Sequence, residues 1–222
     1  SRTSPYNDRP PVMELRTYYN PERRSPVNTV PGLIGVILTM TMILFTAIAL
    51  VRERERGNLE LLITTPVRSL ELMVGKLVPY IFVGLVQVGI VLGLGRTVFQ
   101  IPFNGDMGSL AVITLAFIGA SLSLGLLIST FAATQMQAMQ MTVFILMPSI
   151  LLSGFMFPYE AMPMPVQYIA EILPATHFMR LIRGVFLRGA GILELWADVL
   201  WLLAFTTVML AFATKRFQKT LD

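Results

Sequence analysis

Five apolar runs, each long enough to cross a bilayer as a helix, constrain this sequence more than any other feature. They cover about residues 33–51, 76–99, 108–131, 136–155 and 193–214. A membrane-spanning helix needs about 20 mostly apolar residues, because the hydrocarbon core is about 30 Å thick. No ionisable side chain lies in the central part of any run. The runs predict an all-α integral membrane protein with five transmembrane helices.

The composition supports the membrane class and excludes several functions. Of 222 residues, 55% are hydrophobic and 14% charged, whereas soluble domains carry about 25% charged residues. The basic residues that give a net charge of +4 flank the apolar runs, so they indicate membrane orientation and not a nucleic-acid partner. There is no cysteine, which excludes disulfides and cysteine-based metal sites.

No pattern in the sequence indicates catalysis or a bound cofactor. There is no phosphate-binding glycine loop and no grouped nucleophile and base. His177 is the single histidine, and beside Pro174 we interpret it as a cap or interface residue and not as a metal ligand. Ion-coupled carriers usually need an ionisable group within the membrane. Any uphill transport by this chain would therefore take its energy from another chain.

The first two runs are separated by a charged block that starts at Arg52 and contains alternating arginine and glutamate. The chain between Arg52 and Thr64 is long enough for about three helical turns, with an apolar side at Leu59, Leu62 and Ile63. Such a segment can dock on a partner or lie on lipid. It can also be a stop-transfer segment that only fixes topology, and periodicity leaves both interpretations open.

The distribution of basic residues predicts the orientation. The block with its following turn and the C-terminal tail are rich in lysine and arginine (Arg52, Arg54, Arg56, Arg68, Lys76; Lys215, Arg216, Lys219). With five spans these regions lie on the same side, which the positive-inside rule assigns to the cytoplasm. Residues 1–31 are then external. We interpret them as the end of an extracytoplasmic domain and expect an earlier span, six in the intact chain, with residues 32–222 forming the transmembrane domain.

Two further regions carry weaker signals. Four prolines divide residues 157–190, which predicts two short interfacial or re-entrant helices at about residues 166–187. In the third run, Gly119 with Ser123 and Ser121 with Gly125 form small-residue pairs typical of helix packing. Residues 132–135 read as a tight, uncharged connection. Ordinary packing and a substrate path both remain open for four residues in the spans: Thr39, Gln87, Met139 and Met147.

The charged block resembles the signature of ABC-2 type transport permeases. The matching residues are Arg52, Glu53, Glu55, Gly57, Glu60, Leu62, Thr65 and Pro66, followed by Glu71, Gly75 and Lys76, while Asn58 stands where threonine is usual. The resemblance implies that this stretch, at about residues 52–64, is a cytoplasmic coupling helix that docks on an ATP-binding subunit.

Other segments extend the resemblance over nearly the whole chain. Residues 151–158 resemble the end of the fifth span of these permeases. Six residues after it resemble their re-entrant external helices: Pro174, Thr176, His177, Phe178, Arg183 and Gly184. The resemblance implies the type V exporter fold.

The family implies a function and a set of partners. We expect a permease subunit of an ABC exporter for drug-like or amphipathic substrates in the bacterial inner membrane. This subunit would not itself be catalytic. The N-terminus would be periplasmic and the C-terminus cytoplasmic. Its partners would be two subunits that bind ATP and Mg²⁺, a second permease subunit, the bilayer and, as a further candidate, a periplasmic adaptor. Export of a lipid or glycan, or a scaffold or channel without an ATPase, are the alternatives.

Overall fold

The computed structural model describes residues 25–57, 69–98, 105–191 and 193–221, and the regular structure in this part of the chain is helical. The helices are α1 (Ser25–Glu55), α2 (Ser69–Thr97), α3 (Met107–Phe131), α4 (Gln135–Leu152), α5 (Met164–Ile172), α6 (Pro174–Arg188) and α7 (Trp196–Leu221). A 3₁₀ turn, Tyr159–Ala161, precedes α5. The predicted all-α fold is confirmed.

Five of these helices are long and apolar enough to cross a membrane. The stretches concerned are Thr29–Glu55, Gly75–Thr97, Met107–Phe131, Gln135–Leu152 and Trp196–Arg216. Helices α5 and α6, with 9 and 15 residues, are too short to span. The prediction of five spans and two short helices is therefore confirmed for the described residues.

Helix α3 lies at the centre of the molecule. It packs most extensively against α1 and α7, and also contacts α2, α4 and α6. Phe117 of α3 stacks on Phe178 of α6 with ring centroids 4.0 Å apart, and both side chains are fully buried. The outer helices α2, α4 and α7 keep large apolar side chains exposed, as expected for surfaces that face lipid.

Small residues on α3 pack against two different helices. A Cβ atom on Gly125 would lie 2.7 Å from the carbonyl oxygen of Ile43, so α1 and α3 approach as closely as they do because this position has no side chain. A Cβ atom on Gly119 would meet Thr206 of α7 at 3.6 Å, an ordinary contact. The predicted packing role is confirmed, but it is divided between α1 and α7.

Polar caps define where α3 and α4 begin. Asp106 accepts a hydrogen bond from the backbone N–H of Ser109 at 2.9 Å, and this bond lowers the pKa of the Asp106 carboxyl. Thr134 accepts in the same way from Gln137 at 3.2 Å. Two polar residues in short connections therefore fix the positions at which two spans begin.

Several predicted boundaries were wrong. Helix α1 begins at Ser25 and not near residue 33, so Pro31 lies inside it. The reason is packing, because Val30 and Ile34 are buried in the core and hold the early turns in place. Residues 25–31 thus belong to α1, and residues 1–24 of the predicted external domain lie outside the described residues. Helix α4 ends at Leu152 and α7 starts at Trp196.

Candidate coupling site at the charged end of the first helix

The charged block begins inside α1. Its first four residues continue the helix to Glu55, and Arg52 and Arg54 stand in the last turn, where cations interact favourably with the helix dipole. A turn follows, in which the N–H of Gly57 donates to the carbonyl oxygen of Arg54 at 3.0 Å. Gly57 has a φ of +70°, a left-handed conformation that ends helices.

The expected continuous coupling helix over about residues 52–64 is therefore wrong in its first part. A left-handed residue at Gly57 breaks the helical path, so residues 52–55 belong to the span and not to a separate element. The remaining predicted coupling residues between the spans lie outside the described residues: Asn58, Glu60, Leu62, Thr65 and Pro66. Glu71 and Gly75 are exposed near the start of α2.

Arg54 binds the C-terminal end of α3. Its guanidinium donates to the carbonyl oxygen of Ser129 and, at 3.3 Å, to that of Ala132. Carbonyl groups in the last turn of a helix have no partner within the helix. Arg54 supplies that partner and brings positive charge to the negative end of the α3 dipole.

Glu55 and Arg52 bind the N-terminal end of α4 through Gln135. The backbone N–H of Gln135 donates to Glu55 Oε1 at 3.0 Å, and the Gln135 side-chain amide donates to the other carboxylate oxygen. Arg52 Nε donates to the Gln135 amide oxygen at 3.2 Å. The carboxylate thus stabilises the positive end of the α4 dipole.

Glu53 links α1 to the second span. Its carboxylate forms an ion pair with Lys76 of α2. Because the two side chains are 38% and 24% exposed, the pair contributes little to overall stability. Its geometric effect is larger, since it joins the end of α1 to the start of α2.

Together these contacts connect the end of α1 to three other spans. Helix α2 is held through Lys76, α3 through its last carbonyl groups, and α4 through Gln135. Sequence reasoning missed Gln135, because it treated residues 132–135 as an uncharged connection. Thr134 was a usable signal, since a threonine before an apolar run is a typical N-cap.

The external helices form a second polar cluster, centred on His177. His177 is buried, and its Nδ1 lies 2.6 Å from Asp198 of α7 while its Nε2 lies 2.9 Å from the carbonyl oxygen of Glu171. The ring also stacks on Trp201 with centroids 4.0 Å apart. His177 bonds a carbonyl group in the last turn of α5, as a capping residue does. The sequence did not predict that it also bridges α6, α5 and α7 from inside.

Glu171 holds the outer part of this cluster. It forms an ion pair with Arg180 and accepts a hydrogen bond from the Tyr159 hydroxyl at 2.6 Å. The hydrogen bond from Arg180 lowers the pKa of the Glu171 carboxyl, and the same contact raises the pKa of Arg180. The hydrogen bond from the Tyr159 hydroxyl to this carboxylate raises the pKa of Tyr159, because only the protonated phenol can donate it.

The other residues of the predicted external motif have packing roles. Thr176 and Phe178 are buried in the core, and Pro174 starts α6. Arg183 donates to the carbonyl oxygen of Gly154 at 2.7 Å, and burial lowers its pKa. Gly184 lies against Leu195. Arg180 and Arg183, three residues apart on α6, therefore bind different partners.

The four candidate substrate-path residues differ in burial and in hydrogen-bond partners. Thr39 is buried, and its hydroxyl donates to Gly35 of its own helix at 2.6 Å. Gln87 accepts from Thr41 at 2.9 Å. Met139 and Met147 are exposed on α4. Their role in a substrate path stays a prediction.

The fold is that of a multi-pass helical membrane protein in which the charged end of α1 is bonded to three other spans. Residues 3–215 match the model of the family described as ABC-2 family transporter protein. The chain belongs to this family, as its motifs predicted.

Named relatives agree with the family. The chain is 35% identical over 206 residues to the probable multidrug ABC transporter permease YbhR of Escherichia coli K12, which covers 92% of this chain and 56% of the relative. It is 31% identical to the probable multidrug ABC transporter permease YbhS of the same strain, over 96% of this chain and 57% of the relative. It is 32% identical to the inner membrane transport permease YhhJ, also of that strain, over 94% of this chain and 56% of the relative. The chain spans a little over half the length of these relatives.

Proposed function

We propose that this chain is part of the membrane subunit of an ATP-driven exporter, and that the charged end of α1 is where the spans receive force. One observation carries the proposal. At this end of the molecule, α1 is bonded to α2 through Lys76, to α3 through Arg54 and to α4 through Gln135. A displacement applied after Glu55 therefore reaches four spans at once.

The proposal divides the charged block into two parts. Residues 52–55 are already engaged by the chain's own spans, so they transmit motion and do not dock. Docking on the ATP-binding subunit then falls to the residues after Gly57, among them Asn58, Glu60, Leu62, Thr65 and Pro66. Gly57 separates the two parts with its left-handed turn.

The chemistry of ATP hydrolysis belongs to partners in this proposal. Two ATP-binding subunits hold ATP and Mg²⁺, and a second permease subunit, identical or homologous, completes the translocation path. Closure of the ATP-binding subunits moves the charged ends of the two permeases and switches the path between its inward-open and outward-open states. A periplasmic adaptor is a further candidate partner.

Charge and contacts support the orientation that we propose. Arg216 near the end of α7 lies over Phe131 at the end of α3, with its guanidinium carbon 4.3 Å from the ring centroid. The basic tail and the charged block therefore meet the same end of α3, and we place this end in the cytoplasm by the positive-inside rule. The start of α1 is then periplasmic and the membrane is the bacterial inner membrane.

The substrate class rests on the relatives. YbhR and YbhS are named multidrug permeases, and we propose drug-like or amphipathic substrates for this chain. Transport measured with a hydrophobic cation, a labelled phospholipid and a lipid-linked glycan distinguishes drug export from lipid or glycan export.

The test uses the full-length permease, purified with its associated subunits and reconstituted in vesicles. We expect an ATPase to copurify and transport to require ATP. Glu53→Lys should lower the amount of substrate moved per ATP hydrolysed, and Glu53→Lys combined with Lys76→Glu should restore it, because the pair is re-formed with opposite polarity. Glu160→Lys, on the external side, is the matched control.

The outcomes separate the alternatives. Transport that continues without ATP or an ATPase contradicts the proposal and favours a channel or scaffold. If Glu53→Lys uncouples but the charge swap does not rescue, Glu53 acts on the partner subunit and not through α2. Glu60→Lys should uncouple without affecting the spans, because we assign Glu60 to docking.

A further inference from the structure

Two apolar pockets flank the C-terminal end of α3. One, of about 480 Å³, lies between α3 and α7 and is lined by Leu127, Phe131, Met209, Phe212, Lys215 and Arg216. The other, of about 330 Å³, lies between α3 and α4, where Met141 and Phe144 face it. Both pockets share Leu127 and Phe131, so these two side chains form a ridge between them.

Positive charge lies at only one end of this double groove. Lys215 and Arg216 are exposed at the end of the membrane-spanning part of α7. The Arg216 guanidinium stacks over the Phe131 ring, 4.3 Å from the centroid, a cation–π arrangement that holds it over the ridge. The remaining lining residues of both pockets are apolar.

The depth of the groove matches the edge of a bilayer. The membrane-spanning stretches of α3 and α7 end at Phe131 and Arg216, so the two cations stand where lipid headgroups lie. Leu127 and Leu124, which line the groove, are one and two turns further into the span. Basic residues at the interface next to pockets between spans are recognised features of anionic-lipid sites.

We propose that a phospholipid with a net negative headgroup occupies this groove. Its phosphate binds Lys215 and Arg216, and its two acyl chains lie on either side of the Leu127–Phe131 ridge. Two pockets that share one ridge fit a two-chain amphiphile, and the cations at one end set its direction. The proposal requires only that the chain lies in a membrane, and not that it couples to ATP.

The lipid would contact the part of α3 that the charged block holds. Ser129 and Ala132, whose carbonyl groups bind Arg54, lie in the same last turn as Phe131. The groove is therefore next to the coupling contacts without sharing a side chain with them.

The test measures lipid binding to the full-length permease by native mass spectrometry after delipidation, with phosphatidylglycerol and phosphatidylcholine as probes. We expect tight binding of one phosphatidylglycerol and weaker binding of phosphatidylcholine. The double variant Lys215→Gln, Arg216→Gln should weaken phosphatidylglycerol binding about twenty-five-fold, since each basic residue contributes about fivefold. Leu127→Trp, which enlarges the ridge shared by the two pockets, should also weaken it while leaving the charges intact.

The control removes the same charge from the other end of the molecule. Arg96→Gln combined with Arg188→Gln should change phosphatidylglycerol binding by less than about twofold. Equal loss in this control, or full binding by either groove variant, overturns the proposal in favour of unspecific attraction. Absence of any bound lipid in the wild-type protein also overturns it, and means that a second copy or another helix covers the groove.

Discussion

Glu55, the last residue of α1, accepts hydrogen bonds from both the backbone N–H and the side-chain amide of Gln135, the first residue of α4. The two residues are 80 positions apart. This contact joins the end of α1 to the start of α4, two spans that run in opposite directions. Because Arg52 binds the oxygen of the same amide, the side chain of Gln135 is held on both sides.

Gly57 sets the direction in which the chain leaves α1. Its φ of +70° disfavours residues with a Cβ, although a Cβ there would meet no atom within 4 Å. Gly57→Ala should therefore cost about 1 kcal/mol through the backbone alone and lower the substrate moved per ATP hydrolysed. Gly57→Asn should be milder, since asparagine tolerates this conformation.

The control for this prediction is Gly191→Ala, where a Cβ also meets open space and φ lies outside the left-handed region. We expect it to keep normal coupling. If the alanine variants at positions 57 and 191 moved the same amount of substrate per ATP hydrolysed, the turn at Gly57 would have no role in coupling.

The close approach of α1 and α3 depends on Gly125. Gly125→Ala places a methyl group 2.7 Å from a backbone carbonyl oxygen, so the helices must separate, at a cost of about 1–3 kcal/mol. Gly119→Ala on the same helix meets only Thr206 at 3.6 Å and should be nearly neutral. Thermal unfolding of the two purified variants in detergent tests this, and equal midpoints would contradict the packing.

The ion pair between Glu171 and Arg180 should make the free energy of unfolding depend on pH in the acid range. Arg180 lowers the pKa of Glu171 in the folded protein, so its stabilisation is present above the ordinary carboxyl pKa of about 4.3 and is lost as pH falls through the folded value. Glu171→Gln should cost about 1 kcal/mol at pH 7, because the pair is about one-third exposed.

Unfolding midpoints of wild type and Glu171→Gln between pH 7 and pH 3.5 measure this difference. We expect a constant gap down to about pH 5 that closes on further acidification. The matched control is Glu160→Gln, in the 3₁₀ turn that precedes α5. A gap that widens at low pH would reverse the sign and exclude Arg180 as the cause.

The sequence was enough to predict the spans, because hydrophobic length decides membrane insertion almost alone. The start of α1 could not be predicted in this way. Pro31 is a typical helix-start residue, and only the burial of Val30 against distant helices explains why the helix begins earlier. The local preference of Pro31 was overridden by packing.

The polar clusters were harder to predict than the spans. The charged block was recognised by its motif, yet its contact at Gln135 lies 80 residues downstream in a connection without charge. His177 similarly binds Asp198, 21 residues further on. A single sequence contains no distance information of this kind, so the partners of both residues emerged only from the fold.

The most direct test of the central claim is a double-mutant cycle between Glu55 and Gln135 in the reconstituted full-length transporter, read as substrate moved per ATP hydrolysed. We expect Glu55→Ala and Gln135→Ala each to lower this ratio several-fold, and the double variant to be no worse than either single one, because both remove the same contact. Gln140→Ala, exposed on the same helix, should leave the ratio unchanged. Independent, additive losses, or an unchanged ratio in both single variants, would contradict a role for this contact in carrying force from α1 to α4.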